Sequence, residues 1–295
     1  MSRFHTVLAV VASIGMAGCG SQEVSTKPAA VATMRAAPEA PARVSDRPAN
    51  VEGGVFVVEY HKIAKDEARW DRSIAKFKSD LQRLYDLGFR PVAMRDYLAG
   101  NMKLAPGASP VIFTFDDSHP SQFRLVDGKL DPECAVGIWQ EFASKHADFP
   151  VLASFYILPS TGPWGAKSDV PEKLRLLKDW GCELGSHTIS HSNLSKLSDA
   201  VVEKEFVDAN RFIRDAGFEP SVIALPFGIA PKNRGLLDKH YRAALLVGAG
   251  PAPPPGSEKF DPMRIPRIQG IDEDYGLTYW LDRVESGRYQ PYVEP

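Results

Sequence analysis

Apolar positions follow two rhythms along this chain. Val55-Phe56-Val57-Val58, Val111 to Phe115, Val151 to Leu158, Val222 to Leu225 and Ala243 to Val247 are nearly unbroken apolar runs, and Arg264 to Ile268 is a further short candidate strand. Such runs predict strands covered on both faces. Between them the spacing lengthens to three and four. Ile74, Phe77, Leu81, Leu84 and Leu87 form a stripe that predicts a helix over Trp70 to Leu87, stopped by Gly88. Further helices are expected over Val136 to His146, Pro171 to Trp180, Ser198 to Ala216 and Glu273 to Val284. Strand-then-helix units repeated about seven times predict an α/β fold, a closed or nearly closed (β/α) barrel of parallel strands. Four prolines make Pro251 to Gly256 an irregular loop.

Ahead of Val51 both rhythms are missing. Arg3 and His5 precede an apolar stretch from Val7 to Met16, then come Ala17, Gly18 and Cys19. The stretch is shorter than the roughly 18 residues a spanning helix needs, so it reads as a secretory signal. Met16-Ala17-Gly18-Cys19 resembles a lipobox, which implies cleavage before a lipidated Cys19 and membrane attachment through it, at the outer membrane if the host is Gram-negative. The following stretch, rich in Ala, Pro, Ser and Thr, has too few large apolar residues to offset chain entropy. The expected organisation is therefore a signal peptide at 1–18, a tether at 19–50 and a catalytic domain at 51–295.

With 35 basic and 37 acidic residues, and no basic block, nucleic acid is not an expected partner. Cys134 and Cys182 have no second cysteine at metal-ligand spacing and are expected to be buried free thiols, with a disulfide left open.

Chemistry concentrates in two places. Asp116-Asp117 follows the run ending Thr114-Phe115, at the C-terminal end of a strand, where barrel active sites are built. His187-Thr188-Ile189-Ser190-His191 carries two imidazoles that would share a face if the stretch is a helical turn. An Asp, His, His set leaves positions open on an ion, as catalytic sites do. Those ligand types suit Zn2+ first, with Co2+, Ni2+ or Mn2+ as alternatives.

Together with Pro226-Phe227-Gly228, these motifs resemble the NodB-homology polysaccharide deacetylases, carbohydrate esterase family four, over about residues 55–285. The resemblance implies a distorted seven-stranded (β/α) barrel, a divalent metal and hydrolysis of acetamide bonds on a glycan. It makes Asp116 the base, Asp117, His187 and His191 the metal ligands, and the backbone N–H of Phe227 a donor to the oxyanion.

The chain departs from the pattern at Ala224, where the family has an Arg that orients the base, and in lacking the late catalytic His. His240 looks like a solvated helix end. Glu59-Tyr60-His61-Lys62-Ile63, Gly88 to Val92 and Arg264 to Ile268 resemble the circularly permuted branch acting on poly-N-acetylglucosamine. That branch makes His61 the general acid, and Arg267 is the candidate partner of Asp116. Substrates implied are poly-N-acetylglucosamine, chitin-like or peptidoglycan glycans, and exopolysaccharide export machinery is a candidate partner. Alternatives are an O-acetyl esterase on the same fold and a degenerate glycan-binding lipoprotein. Trp164, after a strand end, is the candidate sugar-stacking residue, whereas Trp139 and Trp180 are expected in the core.

Overall fold

The structure is a computed structural model describing residues 42–165 and 167–295. The signal peptide, Cys19 and most of the tether lie outside the described residues. Seven strands form the barrel: β1 (Phe56–Tyr60), β2 (Ser109–Phe115), β3 (Ala153–Ile157), β4 (Glu183–Ser186), β5 (Val222–Ala224), β6 (Ala243–Ala249) and β7 (Ile265–Gln269). Each pairs in parallel with the next along the chain, and β7 closes the ring on β1. A short strand, Phe89–Pro91, pairs with the start of β2 outside the ring.

Continuous apolar runs arise because both strand faces are covered. Val55, Val57, Ile112, Tyr156, Leu245 and Ile265 pack together as the barrel interior. Their neighbours Phe56, Val58, Tyr60, Phe113, Phe115 and Ile268 pack outward against Phe77, Leu81, Leu84, Trp139 and Leu281 of the surrounding helices. The interior polar residues Glu59, Thr114 and Arg267 lie toward the C-terminal ends of their strands. Cys134 and Cys182 are buried free thiols, as expected.

Several boundaries differ from the sequence reading: the last helix spans Leu277–Glu285 and so starts later than Glu273, and the helix expected over Val136 to His146 spans Ala135–Ala143. The first helix spans Ile74–Asp86, with Ser73 Oγ accepting from the Lys76 N–H at its start. Asp71–Ser73 instead pairs with Lys62–Ala64, which leaves Trp70 in a loop. The chain also joins the barrel before Val51. The Val44 N–H donates to Pro106 O at 2.9 Å, Ser45 Oγ donates to Gly107 O at 2.6 Å, and Asn50 pairs with Val293. Gly107, at φ 80°, allows this approach, since a Cβ there would lie 2.3 Å from Ser45 O. These contacts are hydrogen bonds accepted by backbone carbonyls, invisible to a reading based on apolar content.

Candidate active site

The C-terminal ends of β1, β2, β4 and β5 deliver His61, Asp116-Asp117, His187 to His191 and Phe227 to one cavity of about 500 Å³. Its wall is completed by Lys62, Arg69, Trp70 and Val247. All six of these predicted site residues meet there, and Arg267 stands directly behind Asp116.

Arg267 is wholly buried and grips Asp116 with two parallel hydrogen bonds, Nη1 to Oδ1 at 2.9 Å and Nη2 to Oδ2 at 2.7 Å. Its remaining donors reach Thr114 Oγ1 at 3.1 Å and Leu246 O at 2.7 Å. The register shift between Leu245 and Ala249 makes this fit, since it releases Leu246 O to Arg267 and the Gly248 N–H to Glu59 Oε2. Burial pushes the Asp116 carboxyl up, but the Arg267 guanidinium more than offsets this and holds it well below the usual carboxylate range. Asp116 is thus ionised where it would act.

Glu59 is a second acid in the same pocket, and the sequence reading assigned it no role. Its side chain is fully buried, Oε1 lies 3.3 Å from Arg267 Nη2 and 3.7 Å from His61 Nε2, yet that oxygen has no hydrogen-bond partner. One guanidinium cannot fully compensate two buried carboxylates. Burial, with the Asp116 charge adding to it and Arg267 only partly opposing, raises the Glu59 carboxyl to about 7. A Glu two residues before a His on a strand is the signal that could have found it, because alternate residues share a face.

Asp117, His187 and His191 form a compact triangle. Asp117 Oδ1 lies 3.3 Å from His187 Nε2 and 3.6 Å from His191 Nε2. His187 Nδ1 lies 2.8 Å from Ala224 O, which can only accept, so the ring proton sits on Nδ1 and Nε2 presents a lone pair. That Nε2 is buried without a hydrogen-bond partner. An orphaned lone pair beside a carboxylate and a second imidazole fits a divalent cation, and the N, N, O donors suit zinc. Ala224, placed where an Arg was expected, contributes its carbonyl to this arrangement.

The stretch from His187 to His191 is not a helical turn. Thr188 and His191 have left-handed backbones, at φ 63° and 58°. Glu205, on the helix Asp199–Asp215, accepts from the N–H groups of Ile189 and Ser190, both at 3.0 Å, and from Ser190 Oγ at 2.6 Å. This carboxylate holds the loop in the shape that points both imidazoles at Asp117. Gln122 plays a similar part, donating to the carbonyls of His61 (2.6 Å) and Asp116. Neither residue announces itself in the sequence, since each acts on backbone groups that only the folded chain brings within its reach.

His61 is largely buried and packs against Trp70, ring centroids 4.7 Å apart. Burial pulls its imidazole below the ordinary value, and the Asp116 and Asp117 charges oppose this only in part. Phe227, at φ 60° and 57% exposed, sets its ring 4.7 Å from His191. Trp164 is not a stacking residue: it is buried among Phe123 and Phe155, with Nε1 donating to Gln122 Oε1. The exposed tryptophan on the cavity wall is Trp70. His240 ends a helix as expected, 3.0 Å from Glu203, but it is mostly buried and not solvated.

The polysaccharide deacetylase family pattern matches residues 103–241, spanning β2 through the turn before β6. Over this segment the chain is similar to the polysaccharide deacetylase family. A chitooligosaccharide deacetylase of Sinorhizobium fredii is 30% identical over 155 residues, half of this chain. The match spans 63% of that relative's length. Among solved structures, the Streptococcus pyogenes deacetylase PplD in complex with acetate superposes with a TM-score of 0.61 at 18% identity, covering 83% of this chain and all of that one. IcaB from Ammonifex degensii gives 0.59 at 17% identity over 79% of this chain and 97% of its own. Both share the NodB (β/α) barrel fold.

Proposed function

We propose that the domain is a divalent-metal-dependent hydrolase that removes N-acetyl groups from a cell-surface or extracellular polysaccharide, such as poly-N-acetylglucosamine, a chitin-like polymer or peptidoglycan glycan. The observation that carries this reading is one cavity holding the Asp117, His187, His191 triangle beside an Arg267-clamped, ionised Asp116. A cation bound by the triangle would polarise both a water and the acetamide carbonyl. Asp116 takes the proton from the attacking water, a task for which its ionised state and fixed orientation suit it. The Phe227 N–H donates to the oxygen that gains charge. His61 delivers a proton to the departing amine, which is a poor leaving group without one. The placement of His61 before the Asp pair and at the same cavity supports the permuted branch.

Acetate release from a panel of N- and O-acetylated glycans tests the proposal. Release from N-acetylated polymers, lost with a chelator and restored by zinc, is the expected result. Release confined to O-acetylated xylan would make the domain an esterase, and no release from any glycan would leave a binding protein. Within the same assay, His187→Ala and His191→Ala are expected to lower bound metal. Asp116→Asn should keep the metal and lose turnover, since the ligands hold the ion while the base handles only a proton. Equal metal loss in all three variants would refute this division.

We further propose that the mature protein is a lipoprotein of the cell envelope, anchored through Cys19, where it could meet exopolysaccharide during export. Cys19→Ser should then move the protein from the membrane fraction to the soluble one. Continued membrane retention would sink the anchor.

A further inference from the structure

Between β1 and the first helix the chain makes an excursion, residues 61–73, that walls the active-site cavity with His61, Lys62, Arg69 and Trp70. Lys65 to Trp70 is a run of six exposed residues, four of them charged, so burial of apolar surface cannot hold it in place. Its backbone closes on itself, with the Lys62 N–H donating to Trp70 O at 3.1 Å and Ala68 and Asp71 exchanging two bonds. Those bonds tie the excursion to itself and not to the barrel. The outgoing leg is fixed by Ile63, which is buried and whose N–H donates to Ser121 Oγ at 3.0 Å. The returning leg, which carries Trp70, is fixed through Arg72, next to the Ser73 cap of the first helix.

Arg72 is buried, and each of its five N–H donors has a partner. Nε and Nη2 grip the two oxygens of Asp80, on the first helix, at 2.8 and 2.6 Å. Nη1 donates to Glu67 Oε1 at 2.9 Å and to Asp272 Oδ1 at 2.7 Å, and Nη2 also donates to Thr278 Oγ1 at 3.4 Å. One guanidinium thus joins the excursion to the first helix, to the loop after β7 and to the last helix. Glu67 Oε2 accepts from the Ser73 N–H at 2.8 Å, which ties the exposed run to the same hub. Asp80 also accepts from the Tyr60 hydroxyl at 2.9 Å, on the residue just before His61. A rigid fork can serve three carboxylates at once, whereas an ammonium at the same place is only a point charge.

The consequence falls on His61. Its ring nitrogens have no hydrogen-bond partner among the described residues, and Glu59 Oε1, 3.7 Å from Nε2, is beyond hydrogen-bond reach. Packing must therefore orient the imidazole, and the ring it packs on is Trp70. Trp70 is itself 41% exposed, so it is held only as firmly as the leg that carries it. We infer that Arg72 is a positioning residue, which through the returning leg and Trp70 keeps the His61 imidazole aimed at the departing amine. This rests on the deacetylase reading above, with His61 as the acid.

The test compares kcat on an N-acetylglucosamine oligomer with kcat on an activated aryl acetate, whose leaving group needs no donated proton. Arg72→Lys and Glu67→Ala are each measured alone and combined with His61→Ala. Arg72→Lys keeps a charge beside Asp80 but loses the fork, so amide kcat should fall by about 10- to 100-fold, with metal content unchanged and a far smaller loss on the ester. In the His61→Ala background the same substitution should cost the amide almost nothing more, because an acid that is absent cannot be misaimed. Glu67→Ala removes an exposed carboxylate and leaves the Arg72–Asp80 pair in place. It should lower the amide-to-ester ratio in the same direction, and it decides the question if Arg72→Lys does not fold. An unchanged amide kcat, equal proportional losses on amide and ester, or an undiminished amide loss in the His61→Ala background makes the hub purely structural and leaves the deacetylase reading intact. A wild-type protein that cleaves the ester and no acetamide overturns that reading, and this inference with it.

Discussion

Arg267→Ala is expected to destabilise the domain by about 3–5 kcal/mol, the range found when one partner of a buried ion pair is removed. The penalty arises from what stays behind, because Asp116 and Glu59 would share an interior without a counter-charge. The remaining carboxyls must then protonate, and a protonated Asp116 is no base. Stability should recover as pH falls, since a carboxyl whose folded-state pKa has been raised contributes most when protonated. Arg267→Lys separates stability from catalysis. An ammonium supplies the charge but cannot make two parallel bonds to Asp116, so folding should largely survive while kcat falls by about 100-fold through misplacement of the base. Denaturant melts at several pH values and kcat for both variants check this. Wild-type stability in Arg267→Ala would show that the clamp is not needed to hold the two acids.

His61→Ala is expected to lower kcat for amide substrates by about 10²- to 10⁴-fold while leaving metal content and folding unchanged. An activated aryl acetate should lose far less, because its leaving group departs as an anion without a donated proton. The pH profile gives a second reading. Activity needs Asp116 ionised and His61 protonated, so it should fall on the basic side as His61 loses its proton. Because burial pulls that imidazole down, the basic limb should lie on the acidic side of an exposed histidine's ordinary value. Equal proportional losses on amide and activated ester would remove His61 from the role of acid.

The interplay of Glu59 with both residues links the two experiments. Its carboxyl, raised to about 7, lies within 4 Å of Arg267 and of His61. Part of the pH response in either variant will therefore carry Glu59's titration, and Glu59→Gln as a background separates the contributions.

The sequence alone determined the elements and the ligand types. Continuous apolar runs at Val55 to Val58 and Val111 to Phe115 are dictated by strands with no solvent face, and Asp116-Asp117 at a strand end is a local feature any reading can find. Histidines near one another in the chain, such as His187 and His191, are likewise legible, although the loop shape that aims them was not. Only the tertiary structure decided the rest. Closure of β7 on β1 places Arg267, 151 residues from Asp116, in a two-pronged clamp on it, and sets Glu59 on the intervening strand against both Arg267 and His61. It also buried Trp164, left Trp70 on the cavity wall, and brought Glu205 under the histidine loop. The physical reason is the range of the interactions involved. Periodicity and capping act within a few residues and leave a local trace, whereas pairing of buried charges acts through space and depends on which strands the barrel makes neighbours.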